Sequence, residues 1–223
     1  MSKGLFYSAI TKFLLGVLLV GILIFVPAGT LAFWNGWLLM GLLFIPMFCA
    51  GIVMMCKNPT LLQKRLQAKE SKKEQDIVVK LSGLMFIAGF VVAGLHFRFN
   101  WPPLPQWIVW VAVAVFLMAY VLYAIVLKEN TFLSRTIEVQ EHQTVIDTGL
   151  YGIVRHPMYS ATLLLFLSIP LILGSVFALC IFLLYPIFIV IRILSEEQLL
   201  AKELDGYSEY IKKVKYRLIP FIW

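Results

Sequence analysis

Apolar residues along this chain fall into long runs that short polar segments separate. The approximate bounds of the runs are 8–27, 31–56, 77–97, 107–127 and 158–194. A helix rises about 1.5 Å per residue, so about 20 residues cross the hydrocarbon core of a bilayer. Each of the first four runs therefore predicts one membrane-spanning helix.

The fifth run is too long for one upright helix and predicts a helical hairpin. Pro170 and Gly174 mark the expected turn, which gives helices near 158–173 and 175–194. Because the first of these is short for a full crossing, we expect it to be tilted, broken or buried among its neighbours.

The polar tail after this run also has a helical pattern. Leu199, Leu200 and Leu204 recur at helical spacing, and Gly206 is the expected end of that helix. The whole pattern predicts an all-α fold: a polytopic membrane helix bundle with four N-terminal helices, a C-terminal helical hairpin and a cytoplasmic amphipathic tail.

Composition supports the membrane class. The chain is 61% hydrophobic and 14% charged, against about 45–50% and 25% in a soluble domain. Polar side chains are scarce in residues 1–127, the four-helix transmembrane region, and concentrate in residues 128–223, which hold a connection, the hairpin and the tail. We interpret the two segments as one integrated domain.

Basic residues predict the orientation of the chain. The connections 28–30 and 98–106 carry a single basic residue, Arg98, whereas the other connections and the tail are rich in lysine and arginine. The positive-inside rule then places both termini in the cytoplasm. The net charge of +7 needs no nucleic-acid partner, and we interpret the lysine-rich segment 57–80 as a cytoplasmic loop near anionic lipid.

A polar cluster precedes the hairpin. Residues 149–159 read GLYGIVRHPMY. Pro157 suits the first turn of a helix, where its missing N–H is not needed. Arg155 and His156 would then lie at a helix N-terminus, where free N–H groups and the helix dipole favour an anion.

A second polar cluster follows the hairpin. Arg192 and Glu196 are four residues apart and share a helix face, and Glu197 is adjacent. Singly, these residues suit a membrane anchor or a solvated helical pair. Because both clusters lie at the same membrane face, where ionisable groups are costly, we predict that they form one functional site.

These residues resemble a known family. The segment QTVIDTGLYGIVRHPMY at 143–159, the Arg192-x-x-x-Glu196-Glu197 pattern and the tail Tyr207-x-x-Tyr210-x-x-x-Val214 are similar to the isoprenylcysteine carboxyl methyltransferases and related membrane methyltransferases, a group that includes the phospholipid methyltransferases. The resemblance covers about 129–220 and implies S-adenosylmethionine as the cofactor.

The resemblance also implies roles for particular residues. Arg192 would face the methyl acceptor, and Glu196 would close the cofactor pocket. The other residues implied to line that pocket are Gln143, Thr144, Val145, Ile146, Tyr151, His156, Pro157, Met158 and Tyr159. The charges of the cofactor fit the side chains: Arg155 and His156 suit its carboxylate, whereas Glu196 and Glu197 suit its ammonium and sulfonium groups. Methyl transfer needs mainly positioning and water exclusion, so no metal site is expected.

Three hypotheses of function follow. The first is an integral membrane S-adenosylmethionine-dependent methyltransferase that acts on a lipid-soluble or membrane-accessible small acceptor, which could be a carboxylate, an amine or a thiol. The second is a membrane reductase of related architecture that uses NADPH, although no basic cluster for a 2′-phosphate is evident. The third is a non-catalytic membrane scaffold or lipid-binding protein, which would leave the polar clusters unexplained.

Overall fold

The computed structural model describes residues 3–66, 73–130, 132–133, 139–140 and 142–223. Every regular element in these ranges is helical, as the hydrophobic pattern predicted. The helices are α1 (Lys3–Ala28), α2 (Trp34–Lys57), α3 (Pro59–Leu66), α4 (Lys73–Arg98), α5 (Gln106–Glu129), α6 (Pro157–Ile172), α7 (Val176–Phe182), α8 (Tyr185–Glu203) and α9 (Tyr207–Lys213), with a 3₁₀ turn at Gly149–Gly152.

Length and composition qualify five helical segments of the described chain to cross a membrane. Four of them lie in α1, α2, α4 and α5, and the fifth is Val176–Glu203, which contains α7 and α8. The polytopic membrane bundle is therefore confirmed. Helix α6 is apolar but shorter, at 16 residues, or about 24 Å of helix. It is well buried among its neighbours, which was one of its predicted alternatives.

The turn of the hairpin differs in part from the prediction. Gly174 does form it, with a φ of +72° in the left-handed region that glycine tolerates. Pro170, however, lies inside α6 and does not end it. It leaves the carbonyl of Phe166 without its usual N–H donor four residues later, and its own carbonyl accepts a hydrogen bond from the Ser175 N–H at 3.0 Å.

The second arm of the hairpin is two helices, where the sequence predicted one over 175–194. The break falls at Leu183 and Leu184, just before Pro186. Pro186 has no N–H to donate to the carbonyl of Phe182, and its ring crowds that carbonyl. The Leu184 N–H instead bonds to the carbonyl of Ile181 at 3.1 Å, a tighter 3₁₀-type bond that closes α7.

Helix ends gather at two opposite ends of the bundle. At one end, the Asn35 side chain donates to the carbonyl of Ile172 at 2.7 Å, and the Leu104 N–H donates to the carbonyl of Gly174 at 3.1 Å. The other end carries α3, the connection between α5 and α6, and the tail. We call it the polar end. Its location in the cytoplasm stays a prediction.

The segment 57–80 is not simply a loop. Helix α3 occupies its first part, with Asn58 as its cap: the Asn58 side-chain oxygen accepts from the Leu61 N–H at 3.1 Å. Leu61 and Leu62 are buried. Lys69 and Lys72 lie outside the described residues, so the structure bears on only part of this basic segment.

Two apolar cores hold the described chain together. The main core lies between the long helices and includes Ile24, Leu39, Phe116 and Phe182, so it draws on both predicted segments of the chain. A smaller core lies at the polar end; it consists of Leu200, Leu204, Tyr207, Tyr210 and Val214. This second core fixes α9 against the end of α8 and so positions the tail beside the predicted site.

Candidate functional site

The turn before α6 is built as the sequence predicted. Pro157 occupies the first turn of α6, and His156 precedes it with φ −126° and ψ 60°, outside the helical region. Arg155 and His156 are both buried. Their N–H groups donate to the carbonyls of Tyr216 and Arg217, each at 2.9 Å, so the tail runs alongside this turn.

A buried charge cluster joins the turn, α8 and the tail. Oε1 of Glu197 accepts from Nε of Arg155 at 2.7 Å and lies 3.2 Å from Nε2 of His156. Oε2 of Glu197 accepts from Nε of Arg217 at 2.8 Å. Arg155 also donates to the carbonyls of Val214 and Lys215. Both oxygens of Glu197 therefore have partners within the chain, and the cluster fastens the tail over the start of α6.

The side chain of Glu196 points in a different direction from that of Glu197. Its Oε2 accepts from the hydroxyl of Tyr159 at 2.7 Å. Nε of Arg192 donates to the same hydroxyl at 3.5 Å. The predicted shared face of Arg192 and Glu196 is confirmed in this sense, since both side chains converge on Tyr159.

A third set of contacts fixes the loop that carries Tyr151. The carboxylate of Glu129, at the end of α5, accepts from the Leu150 N–H at 3.0 Å. A Cβ at position 149 would clash with this carboxylate, and Gly149 has a φ of +58°. The Tyr151 hydroxyl accepts from the Asn130 side chain at 3.1 Å. Glycine at 149 is thus required twice, by its backbone angle and by the close carboxylate.

These elements surround a cavity of about 510 Å³, a size typical of small-molecule sites. Most of the predicted site residues line it: Gln143, Thr144, Val145, Ile146, Tyr151, Arg155, His156, Met158, Tyr159, Arg192 and Glu196. Pro157 and Glu197 do not. The structure therefore gives Glu197 the contacts of the buried charge cluster, and Pro157 the role of starting α6.

The cavity has two halves of different character. The polar half lies between the loop 143–151, the start of α6 and the tail. The other half, which we call the apolar half, lies between α4, α5, α6 and α8. It is lined by Val79, Ser82, Gly83, Phe86, Tyr123, Phe166, Tyr185, Phe188 and Ile189. Arg192 and Tyr159 also line this cavity, so one space offers both polar and apolar surroundings.

Tyr207 contributes an unusual polar atom to the polar half. Its side chain lines the cavity and is only 4% exposed, yet its hydroxyl has no hydrogen-bond partner among the residues that the structure describes. Burial raises the pKa of the Tyr207 hydroxyl well above its usual value, so the group stays a neutral donor. Buried polar groups normally have partners, and an exception beside a cavity points to a ligand.

Comparison with known proteins bears on the same region. Residues 107–205 match the model of the phospholipid methyltransferase family. The match runs from α5 to the end of α8 and includes the loop, the turn before α6 and the Glu196-Glu197 pair. It confirms the resemblance to this group of membrane methyltransferases that the motifs indicated. No curated protein matches the chain.

Some lining residues had no clear signal in the sequence. Arg65 was one of several basic residues in a lysine-rich segment, so nothing distinguished it from a membrane anchor. Asn130 lies at the end of a long apolar run. Tyr185 and Phe188 lie inside the hairpin, where aromatic residues usually pack in the core. Only the fold reveals that these side chains border a common cavity.

Proposed function

We propose that this protein is an integral membrane methyltransferase that uses S-adenosylmethionine and acts on a lipid-soluble or membrane-accessible small acceptor. The family match indicates a membrane methyltransferase. The observation that carries the finer proposal is the cavity described above, whose polar half suits a charged cofactor and whose apolar half suits an amphiphilic acceptor.

The side chains of the polar half fit this cofactor. Glu196 can accept from an ammonium group or lie near a sulfonium, and the buried Tyr207 hydroxyl can donate to the cofactor. The rings of Tyr151 and Tyr159 offer faces that attract a cationic sulfur. Gln143, Thr144, Val145 and Ile146 would supply backbone groups along one wall. His156 and Met158 would continue the pocket, with Arg155 held behind them by Glu197.

When bound, S-adenosylmethionine would supply an activated methyl group carried on a positively charged sulfur. The chain's own residues have to position the reactants and exclude water. Arg192, Tyr159 and Glu196 line the cavity and are hydrogen-bonded in series, at 3.5 Å and 2.7 Å. This series can orient an acceptor group toward the polar half.

The apolar half sets the broad class of acceptor. Its walls come from four helices that run through the predicted membrane region, so an acceptor with an apolar chain would be in contact with similar surfaces in the bilayer and in the cavity. A carboxylate, an amine or a thiol could each carry the accepting lone pair. Following the distribution of lysine and arginine, we also place both termini and the site in the cytoplasm.

Isothermal titration calorimetry tests the cofactor assignment on detergent-purified protein. We expect S-adenosylmethionine to bind the wild type and to bind Glu196→Gln about tenfold more weakly, since a lost interaction of about 1.4 kcal/mol changes affinity by that factor. Glu203→Gln is the matched control, because Glu203 lies on the same helix, is exposed and does not line the cavity. It should bind like the wild type.

Other outcomes would support the other hypotheses. Binding of NADPH that excludes S-adenosylmethionine would replace the proposal with a membrane reductase. If neither nucleotide binds, the protein is better described as a scaffold or lipid-binding protein. Equal affinity in Glu196→Gln and the wild type would remove Glu196 from the site without removing the cofactor.

A further inference from the structure

Three aromatic rings meet at one end of the apolar half. Phe86 lies on α4, Phe166 on α6 and Tyr185 at the start of α8, and all three line the cavity. The ring centroids of Phe166 lie 4.8 Å from Phe86 and 4.9 Å from Tyr185, and those of Phe86 and Tyr185 are 6.4 Å apart. Aromatic pairs pack at centroid distances of about 4.5–7 Å, so each ring contacts the other two. We call this set the aromatic floor.

The lining of the cavity ends at the aromatic floor on each of its three sides. One helical turn further from the polar end, the side chains belong to the main apolar core, are at most 4% exposed and do not line the cavity; they are Phe90 on α4, Ile169 on α6 and Phe182 on α7. The Phe182 ring packs against Phe86 at 5.2 Å. Gly89 leaves room for this ring, since a Cβ there would clash with it. Packed side chains therefore close the apolar half at this end.

Two helices give the same depth for the apolar half. On α6, Tyr159 and Phe166 are seven residues apart, and on α8 so are Tyr185 and Arg192. Seven residues make about two helical turns, so the members of each pair share a helix face and are separated by about 10.5 Å of rise. The two helices also meet at both levels. Nε of Arg192 donates to the Tyr159 hydroxyl at 3.5 Å, and one floor contact joins α6 to α8.

This depth limits the apolar chain of an acceptor. A chain that begins beside Arg192 and Tyr159 has about 10.5 Å before it meets the aromatic floor. With carbon–carbon bonds of about 1.52 Å and angles of about 111°, an extended chain advances about 1.25 Å per carbon. The apolar half therefore accommodates about eight carbons of a linear chain.

We propose that the aromatic floor selects the acceptor by chain length, and that Phe86 is the residue that sets this limit. The inference rests on the proposed function and narrows its acceptor to amphiphiles with a linear apolar chain of about eight carbons. Phe86 is assigned this role because its ring separates the cavity from the core. It contacts the lining residues Phe166 and Tyr185 on one side, and the core residues Phe90 and Phe182 on the other.

Binding of a chain-length series tests this assignment in the full-length protein held in lipid nanodiscs. The probes are hexanoate, octanoate, dodecanoate and palmitate, and the corresponding linear amines. Dissociation constants are expressed as the mole fraction of probe in the lipid, so that partition into the bilayer does not favour the longer chains. In at least one series, we expect the wild type to bind the octyl member most tightly and the hexadecyl member more weakly.

Phe86→Ala should shift this preference toward longer chains. Removing the ring opens apolar space beyond the floor, which a longer chain can fill. We expect the dodecyl and hexadecyl probes to bind about tenfold more tightly than to the wild type, whereas the hexyl probe should change by less than about twofold. Phe86→Leu is the milder variant, which should shift the preference in the same direction by less.

Phe44→Ala is the matched control. Phe44 is a buried phenylalanine on α2 that packs against Phe13 at a centroid distance of 5.8 Å, and it does not line the cavity. This variant loses the same ring and should keep the chain-length preference of the wild type. Binding of S-adenosylmethionine, measured on each variant, reports that its bundle is folded.

An unchanged chain-length preference in both Phe86 variants would overturn the inference, as would equal tightening of all chain lengths or the same shift in Phe44→Ala. A wild type that binds neither series would also overturn it. Each of these results with S-adenosylmethionine binding intact leaves the proposed function standing. Failure of the wild type to bind S-adenosylmethionine rejects the proposed function itself.

Discussion

Removing the carboxylate of Glu197 should release the C-terminal tail from the bundle and destabilise the protein. Glu197 joins Arg155 and Arg217 through hydrogen bonds of 2.7 and 2.8 Å. The side chains of Glu197 and Arg155 are only 9% and 4% exposed, so water cannot replace the lost partner of Arg155. Breaking a buried pair by deleting one member costs about 3–5 kcal/mol. Arg217, at 33% exposed, contributes less.

The free energy of unfolding measures this effect, with denaturant titrated into protein held in mixed micelles. Glu197→Ala should lower it by about 3–5 kcal/mol, and Glu197→Gln by less, because an amide oxygen can still accept one hydrogen bond. Limited trypsin digestion gives a local readout: cleavage at Lys215 and Arg217 should become faster in Glu197→Ala than in the wild type.

The control for this prediction is an ion pair at the surface. Lys213 donates to Asp147 at 2.6 Å, but the two side chains are 65% and 42% exposed. This hydrogen bond lowers the pKa of the Asp147 carboxyl. Asp147→Asn should leave stability nearly unchanged, since exposed pairs contribute little. If Glu197→Ala destabilises no more than Asp147→Asn, the assignment of the buried charge cluster as the fastening of the tail is wrong.

Two glycines give further predictions. Gly149→Ala should lower the free energy of unfolding by about 1–3 kcal/mol and weaken S-adenosylmethionine binding, because a Cβ at a φ of +58° would displace the carboxylate of Glu129. Gly4→Ala is the control in the same titrations, because a Cβ at position 4 would meet no other atom. Gly83→Leu should fill the apolar half and abolish binding of palmitate, taken as a simple single-chain amphiphile, while S-adenosylmethionine still binds. Gly51→Leu, equally unobstructed but away from the cavity, should bind both, and palmitate binding by Gly83→Leu would contradict the proposal that the apolar half holds the acceptor.

The membrane helices could be predicted from the sequence because a helix that crosses the lipid bilayer consists almost wholly of apolar residues. Every residue of a spanning segment meets an apolar environment, so the run itself reports the helix. The errors came from prolines, whose effect depends on position. Pro170 lies inside α6, which continues to Ile172, whereas Pro186 lies in the first turn of α8, just after the break that ends α7. Hydropathy is the same in both places and does not separate them.

The candidate site was predicted where chemistry and spacing agreed, as with Arg192 and Glu196 four residues apart on α8. Arg65 was not predicted, because its place in the cavity lining is shown only by the fold, in which its guanidinium carbon lies 5.4 Å from the ring centroid of Tyr123 on α5. Tyr207 had only its position in the tail pattern, and the lack of a partner for its hydroxyl within the described part of the chain is a property of the folded site. Such residues come together through contacts that are distant in sequence.

The adjacent glutamates show why residue type alone could not assign the site. Neighbouring residues on a helix point about 100° apart, so one pair of identical side chains serves two surfaces. Glu196 turns toward the cavity and Tyr159, whereas Glu197 turns toward Arg155 and the tail. The partner that decides this, Arg217, lies 20 residues beyond Glu197 and reaches it only because the chain reverses at Gly206, which has a φ of +81°. With Glu197 neutralised, Glu196 is the one carboxylate among the described lining residues that a cationic cofactor can use.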